Sequence, residues 1–211
     1  MKERGGVRMH RSREFFPRAN ALASCGSLPM TRAQLEHIVR AAGAITDEQT
    51  ILVLGSQSIL GTFPAPPSPL DVSREADVCP WKASDKADLI SGAIGEVSQF
   101  DSTFGYYAHG LPPESCPLPT GWETRLIRFQ NENTRGITAL CLHPLDLACS
   151  KLVASREKDI EFVGVMLSHR LIEGAALVAH IAFLPENNQQ ERAKQTLEVV
   201  RSKLPRAAEG P

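Results

Sequence analysis

Two acidic residues separated by one position are the first candidates for chemistry in this sequence. Glu75 and Asp77 lie in the segment READVCP, which has the pattern of a short strand. Side chains two positions apart in a strand point to the same face. Two adjacent carboxylates repel each other unless a cation lies between them, and such oxygen ligands suit Mg²⁺ or Mn²⁺. The spacing therefore predicts a metal site, although two solvated charges on an edge strand would have the same pattern.

A turn of small residues is the second candidate. Gly55 and Ser56 follow the apolar segment TILVL, which predicts a buried strand, and SILGTF after them predicts a short helix. Backbone N–H groups at such a position can bind phosphate oxygens, and glycine allows the close approach. A turn that is tight only for steric reasons would use the same residues. A role of Ser56 as a hydrolytic nucleophile is disfavoured because the G-x-S-x-G pattern is missing.

Basic residues in the segment PLDLACSKLVASREKDIEFV are the third candidate. At about 100° per residue, Lys151 and Lys158 lie about 20° apart on one unbroken helix and would share a face. Such a face could hold a triphosphate, with Arg156 nearby. A break in the helix would reset this angle. A solvated helix with salt bridges between its own side chains is the alternative.

The elements that must position these residues change in character along the chain. Residues 30–45 predict a helix, with capping-box spacing of Thr31 and Gln34 and a stop at Gly43. KADLISGAIGEVSQF predicts a helix that breaks at one of its glycines, and TFGYYAHGL, ETRLIRFQN and GITALCLH predict strands. From Pro144 onwards only helices are predicted. The order predicts an α+β fold, in which helices pack on a small mixed β-sheet and the C-terminal part is helical.

Three regions follow from this order. Residues 1–29 are rich in Arg, Gly and Ser without periodicity, and they are predicted to be a flexible tail or an upstream extension. Residues 30–143 form the predicted core that carries the acidic pair. Residues 144–211 form the predicted C-terminal helical region.

Composition excludes several classes of protein. The net charge is −1, from 23 basic and 24 acidic residues, so the chain has no broad field that attracts nucleic acid. The five cysteines form no CxxC pair, which disfavours a disulfide scaffold or a zinc site and favours a reducing cytoplasm. No apolar run is long enough to cross a bilayer, so we expect no membrane-spanning segment.

Together, these motifs resemble those of the DNA polymerase β-like nucleotidyltransferase superfamily. The resemblance consists of a strand ending in Gly-Ser and a second strand with the [Asp/Glu]-x-Asp pattern. The segment DLACSKLVASREKD is similar to a signature of the abortive-infection (AbiEii-type) toxins and their uncharacterised bacterial relatives. GSQSILGTFP and GEVSQFDSTFGYYAHG look closest to one such nucleotidyltransferase-like family. The resemblance covers about residues 30–172.

The resemblance implies a metal-dependent transfer of an NMP from an NTP to a tRNA end, a protein or a small molecule. It implies that Glu75 and Asp77 bind the metal and are catalytic together with Lys151. The residues that it implies for nucleotide and phosphate binding are Gly55, Ser56, Arg156, Lys158 and Asp159. A cognate antitoxin or operon partner is also implied.

One expected feature of the superfamily has no clear match. Many members have a third carboxylate on a later strand, for which Glu96 and Asp146 are the only candidates here. A non-catalytic nucleotide-binding or partner-binding module on the same scaffold therefore stays open, as does a structural protein without a nucleotide site. His109 could contact substrate, but a surface-loop histidine is favoured. Tyr106 and Tyr107 either stack a base or belong partly to the core.

Overall fold

The computed structural model describes residues 30–70 and 73–204. The predicted tail at residues 1–29 lies outside the described residues, and the domain boundaries stay a prediction. The strands are β1 (Thr50–Val53), β2 (Glu75–Pro80), β3 (Tyr107–Gly110), β4 (Ile127–Phe129) and β5 (Thr138–Cys141). The helices are α1 (Arg32–Thr46), α2 (Ile59–Thr62), α3 (Ala87–Ile94), α4 (Gln99–Phe104), α5 (Pro144–Ala154), α6 (Glu157–Ser168), α7 (Gly174–Ile181) and α8 (Asn187–Lys203).

The strands form one mixed sheet with β1 at its centre, in the order β3-β2-β1-β5-β4. β1 is antiparallel to β2 and parallel to β5. On the outside, β3 runs parallel to β2, and β4 runs antiparallel to β5. Helices pack on this sheet, so the predicted α+β fold is confirmed.

The first helix confirms its predicted start but not its predicted end. Thr31 and Gln34 form the capping box, in which each side chain bonds to the other residue's backbone. The helix runs past Gly43 and ends at Asp47, whose backbone is left-handed. A Cβ atom on Gly43 would lie 2.9 Å from the side chain of Ile137. The glycine therefore allows close packing and does not stop the helix.

Two other predicted segments each contain more than one secondary-structure element. KADLISGAIGEVSQF breaks at Gly95, and Ser98 then caps α4 by accepting a hydrogen bond from the Asp101 amide. The strand predicted in TFGYYAHGL begins only at Tyr107, because Phe104 ends α4 and Gly105 takes a left-handed conformation.

The long basic helix of the sequence prediction is two helices. Ser155 ends α5 in a left-handed conformation with φ of 51°, and Arg156 is extended before α6 begins. The predicted angle between Lys151 and Lys158 was calculated for one unbroken helix, so it does not hold.

The described cysteines form no disulfide bonds among themselves. Cys79, Cys116, Cys141 and Cys149 are all free, and Cys141 and Cys149 are completely buried, as expected for small core residues. Cys25 lies outside the described residues. None of the described helices combines the length and the apolar character that a membrane crossing requires.

Candidate active site

The acidic pair lies on one face of β2, as predicted. Glu75 and Asp77 are partly exposed, whereas Ala76 and Val78 between and beside them are buried in the core. This alternation follows from the two-residue period of a strand. Burial raises the pKa of the Glu75 carboxyl above its ordinary value, and the charge of Asp77 raises it further. Two like charges this close together repel each other.

The end of β1 brings the small-residue turn against this pair. The Leu54 amide donates a hydrogen bond to the Asp77 carbonyl oxygen at 2.8 Å, so the next residue lies directly beside the acid. Gly55 has φ of 57°, and a Cβ atom there would lie 2.1 Å from Asp77 Oδ2. Only glycine fits both the left-handed backbone and the space taken by the carboxylate. Gly55 is therefore required by Asp77 itself, whether or not phosphate also binds there.

His109 completes the acidic side of the site, and the sequence prediction missed it. It lies on β3 and not in a loop, and the parallel register pairs it with Asp77. Its Nδ1 atom lies 3.3 Å from Asp77 Oδ1 and 3.7 Å from Glu75 Oε1. We call Glu75, Asp77 and His109 the acidic wall. A local signal for His109 is absent, because its position depends on pairing between segments that are 32 residues apart.

Lys151 reaches the small-residue turn from α5 and lines the same cleft as the acidic wall. Its Nζ atom donates hydrogen bonds to Ser56 Oγ at 2.8 Å and to Asp159 Oδ1 at 3.0 Å. The ammonium group also lies 4.2 Å from the centre of the Phe162 ring. Burial lowers the pKa of Lys151 below its ordinary value, and the charge of Asp159 opposes this effect.

Asp159 joins the two helices that carry the cations. Arg156 Nε donates a hydrogen bond to its Oδ2 at 2.6 Å, and Lys151 binds its other oxygen. Burial acts to raise the pKa of Asp159, but the hydrogen bond from Arg156 and the charge of Lys151 outweigh it, so the pKa lies below its ordinary value. Lys158 is exposed on the same helix. We call Lys151, Arg156, Lys158 and Asp159 the basic wall.

The two walls enclose a cleft of about 840 Å³. All eight residues predicted for the site line it: Gly55, Ser56, Glu75, Asp77, Lys151, Arg156, Lys158 and Asp159. Apolar side chains, among them Leu70, Leu111, Leu147 and Phe162, form other parts of its lining. The break between α5 and α6 does not separate Lys151 from Lys158, because both helices border the cleft. Carboxylates opposite cations are an arrangement that can hold a divalent ion together with a polyphosphate.

Neither candidate for a third carboxylate lies in the cleft lining. Asp146 is completely buried, accepts hydrogen bonds from Nε and Nη2 of Arg125, and has His180 Nε2 at 2.8 Å from its Oδ1. Its carboxylate is therefore occupied by Arg125 and His180 and does not face the cleft. Glu96 is exposed after α3.

The two tyrosines have different surroundings. Tyr106 is buried, with its hydroxyl oxygen 2.8 Å from His37 Nδ1, so it belongs to the core. Tyr107 lies opposite Glu75 in the parallel register and shares the face of the acidic wall.

A family model described as "Nucleotidyltransferase of unknown function (DUF6036)" matches residues 33–173. The chain belongs to this family. The match includes both walls of the cleft and all five strands, so the nucleotidyltransferase resemblance is confirmed at the level of the family. The more specific likeness to abortive-infection toxins stays a prediction. Comparisons with curated proteins and with solved structures gave no match.

The donor atoms of the acidic wall fit the divalent metal that a nucleotidyltransferase family implies. Two carboxylates and one imidazole place a ligand atom each within 4.8 Å of one another, and all three side chains line the cleft. Carboxylate oxygens suit Mg²⁺ and Mn²⁺, and an imidazole nitrogen adds a ligand that transition ions accept.

Proposed function

We propose that the protein is a metal-dependent nucleotidyltransferase that transfers an NMP from an NTP to a hydroxyl group of an acceptor. The observation that carries this proposal is the cleft itself. Two carboxylates on one strand face lie beside a glycine turn that makes room for them, and cations from two helices line the opposite wall. The family match supports the same chemistry independently.

Glu75 and Asp77 would hold the divalent ion, which we propose to be Mg²⁺ or Mn²⁺. When bound, such an ion neutralises the charge of the triphosphate and favours ionisation of the acceptor hydroxyl. The acceptor hydroxyl gives its proton to water, a bond forms between the acceptor oxygen and the α-phosphorus, and the bond between the α-phosphorus and the departing pyrophosphate breaks. The protein contributes mainly position and charge to such a transfer.

The basic wall would bind the pyrophosphate part of the NTP. A lysine ammonium group has three N–H donors. Ser56 and Asp159 accept two of those of Lys151, which leaves one for a phosphate oxygen. Arg156 and Lys158 are exposed at the rim, where their charges would meet the outer phosphates. Asp159 would act by holding Lys151 and Arg156 in place.

The acceptor is proposed as a tRNA end, a protein side chain or a small molecule. The resemblance of DLACSKLVASREKD to abortive-infection toxins supports a toxin–antitoxin setting, with a cognate antitoxin or operon partner. Expression of the wild-type chain and of Asp77→Ala in a bacterial host tests this setting. Growth arrest by the wild type alone is the expected result, and equal growth of both strains would contradict it.

Transfer is tested by incubating the protein with each labelled NTP, a divalent ion, and total RNA, protein or metabolites from a bacterial extract. We expect labelled product from the wild type and a loss of at least about a hundredfold for Asp77→Ala. Asp88→Ala is the control, because Asp88 is exposed on α3 and lies outside the cleft lining. Equal labelling by the wild type and Asp77→Ala would contradict the proposal.

A non-catalytic nucleotide-binding module is the second candidate. Among the described residues, no third carboxylate oxygen lies within 4.8 Å of both Glu75 and Asp77, and this observation favours the second candidate. Such a module would bind an NTP with a divalent ion but would label none of the acceptors. The same incubation, combined with a binding measurement, therefore separates the two candidates.

A further inference from the structure

We propose that His109 is the third protein ligand of the divalent ion and that its imidazole makes the site prefer Mn²⁺ to Mg²⁺. This inference rests on the proposed function in one respect, namely that Glu75 and Asp77 hold a divalent ion. It goes further by replacing the expected third carboxylate with a nitrogen ligand and by choosing between the two ions.

Backbone pairing fixes His109 beside the acids. The Tyr107 amide donates to the Arg74 carbonyl at 3.0 Å, and the Leu111 amide donates to the Val78 carbonyl at 3.0 Å. These bonds bracket the pair Asp77 and His109 on both sides. Paired residues of neighbouring strands project from the same sheet face, so the imidazole points with the carboxylates into the cleft.

The distances suit ligands of one ion. Nδ1 of His109 lies 3.3 Å from Asp77 Oδ1 and 3.7 Å from Glu75 Oε1. At metal–ligand distances near 2.1 Å, ligand atoms lie about 3 Å apart when adjacent around the ion and about 4 Å apart when opposite. A direct hydrogen bond from Nδ1 to Asp77 would be long at this distance.

A bound cation would also balance the charges of the acidic wall. Among the residues that the structure describes, His109 is the only side chain within ion-pair distance of Glu75 or Asp77. Lys151 and Arg156 are bound by Asp159 instead. A neutral imidazole does not compensate two carboxylates, whereas an ion held by all three does.

The imidazole changes which ion is preferred. Mg²⁺ is bound by oxygen ligands, and imidazole nitrogen raises the affinity for first-row transition ions. With His109 in place of a carboxylate, the protein ligands carry two negative charges and not three. The bound ion therefore retains more charge for the phosphates of the NTP.

Electron paramagnetic resonance with Mn²⁺ alone tests the ligand directly. The protein is prepared with ¹⁵N-histidine and with ordinary histidine, and the nitrogen coupling to the bound ion is recorded. We expect a nitrogen coupling that changes with the isotope and that disappears in His109→Gln, with Mn²⁺ affinity reduced by about ten- to a hundredfold. His169→Gln is the matched control, because His169 is exposed at the end of α6, and it should retain both the coupling and the affinity.

The variant His109→Asp tests selectivity and guards against a folding defect in His109→Gln. It restores a third carboxylate, so the ratio of Mn²⁺ to Mg²⁺ affinity should fall at least about tenfold below that of the wild type. An unchanged ratio of the two affinities would overturn the proposed preference for Mn²⁺.

The possible outcomes distinguish a failure of the role proposed for His109 from a failure of the proposed function. Mn²⁺ binding that depends on Asp77 but shows no histidine coupling would overturn the role of His109 and leave the proposed function intact. Absence of Mn²⁺ binding by the folded wild type would overturn both.

Discussion

The two walls of the cleft carry opposite charges, and they differ in how those charges are compensated. In the basic wall, the buried Lys151 and the exposed Arg156 share the carboxylate of the completely buried Asp159. In the acidic wall, Glu75 and Asp77 face the cleft together, and among the described residues only His109 lies within ion-pair distance of them. One wall is therefore held by its own ion pairs, whereas the other has no cationic lysine or arginine partner within the described part of the chain.

This difference separates structural from functional effects of substitution. A change in the buried pair Lys151 and Asp159 of the basic wall leaves a buried charge without its partner, so it should reduce stability as well as binding. A change in the acidic wall removes repulsion between like charges, so it should reduce binding with little effect on stability. Four predictions test this contrast.

Asp159→Ala should give the largest loss of stability. The change leaves Lys151 buried without its carboxylate, which costs about 3–5 kcal/mol in the free energy of unfolding. Urea unfolding followed by circular dichroism measures it. The double variant Lys151→Met with Asp159→Leu should recover much of the loss, because it removes the buried charge as well. A single variant as stable as the wild type would contradict the assigned role of this ion pair.

Gly55→Ala should affect both stability and the acidic wall. The left-handed backbone and the contact with Asp77 together should cost about 2–3 kcal/mol in the free energy of unfolding and displace the carboxylate from the site. Gly92→Ala is the control, because Gly92 is exposed on α3 with no atom near the added methyl group. That control should stabilise the protein by about 0.5–1 kcal/mol. Mn²⁺ binding by Gly55→Ala equal to that of the wild type would argue against the contact.

Stability should depend on pH through Asp159. Its pKa in the folded protein lies below the ordinary value of 3.8, so its contribution is present above that pH and is lost as the pH falls through the folded pKa. The difference in unfolding free energy between the wild type and Asp159→Asn should therefore narrow in acid. Urea unfolding between about pH 2.5 and pH 6 measures it. A difference that stays constant over this range would contradict the ion pair.

Lys158→Ala should have the smallest effect on stability, within about 0.5 kcal/mol, because the side chain is exposed. It should weaken NTP binding, and the weakening should shrink as salt is added, since salt screens exposed charges. The exposed Lys194 on α8 lies outside this cleft, and Lys194→Ala serves as the control. Equal NTP affinity of the two variants at low salt would remove Lys158 from the site.

Local patterns predicted much of the fold and the acidic pair. Strand alternation places Glu75 and Asp77 on one face, and the capping box fixes the start of α1. These features depend on neighbours within about four residues, which the sequence displays directly. The strand order was not predicted, because pairing between distant segments has no local signal.

The sequence predicted which residues line the cleft better than it predicted the contacts that these residues make. All eight residues line the cleft, but Lys151 and Lys158 were predicted on one helix, and the left-handed turn at Ser155 places them on two. A left-handed serine has no reliable sequence signal, since this conformation is unusual outside glycine, asparagine and aspartate. His109 was missed because only the register of β3 with β2 places it beside Asp77.

Calorimetric titration of each NTP tests the central claim most directly. The wild type and Asp77→Asn are titrated with Mn²⁺ present and again with the ion removed by a chelator. The account predicts that tight binding by the wild type requires the ion, and that Asp77→Asn loses at least about tenfold in affinity when the ion is present. NTP affinity that is the same with and without the ion, or the same in both proteins, would contradict a metal and polyphosphate site between the two walls.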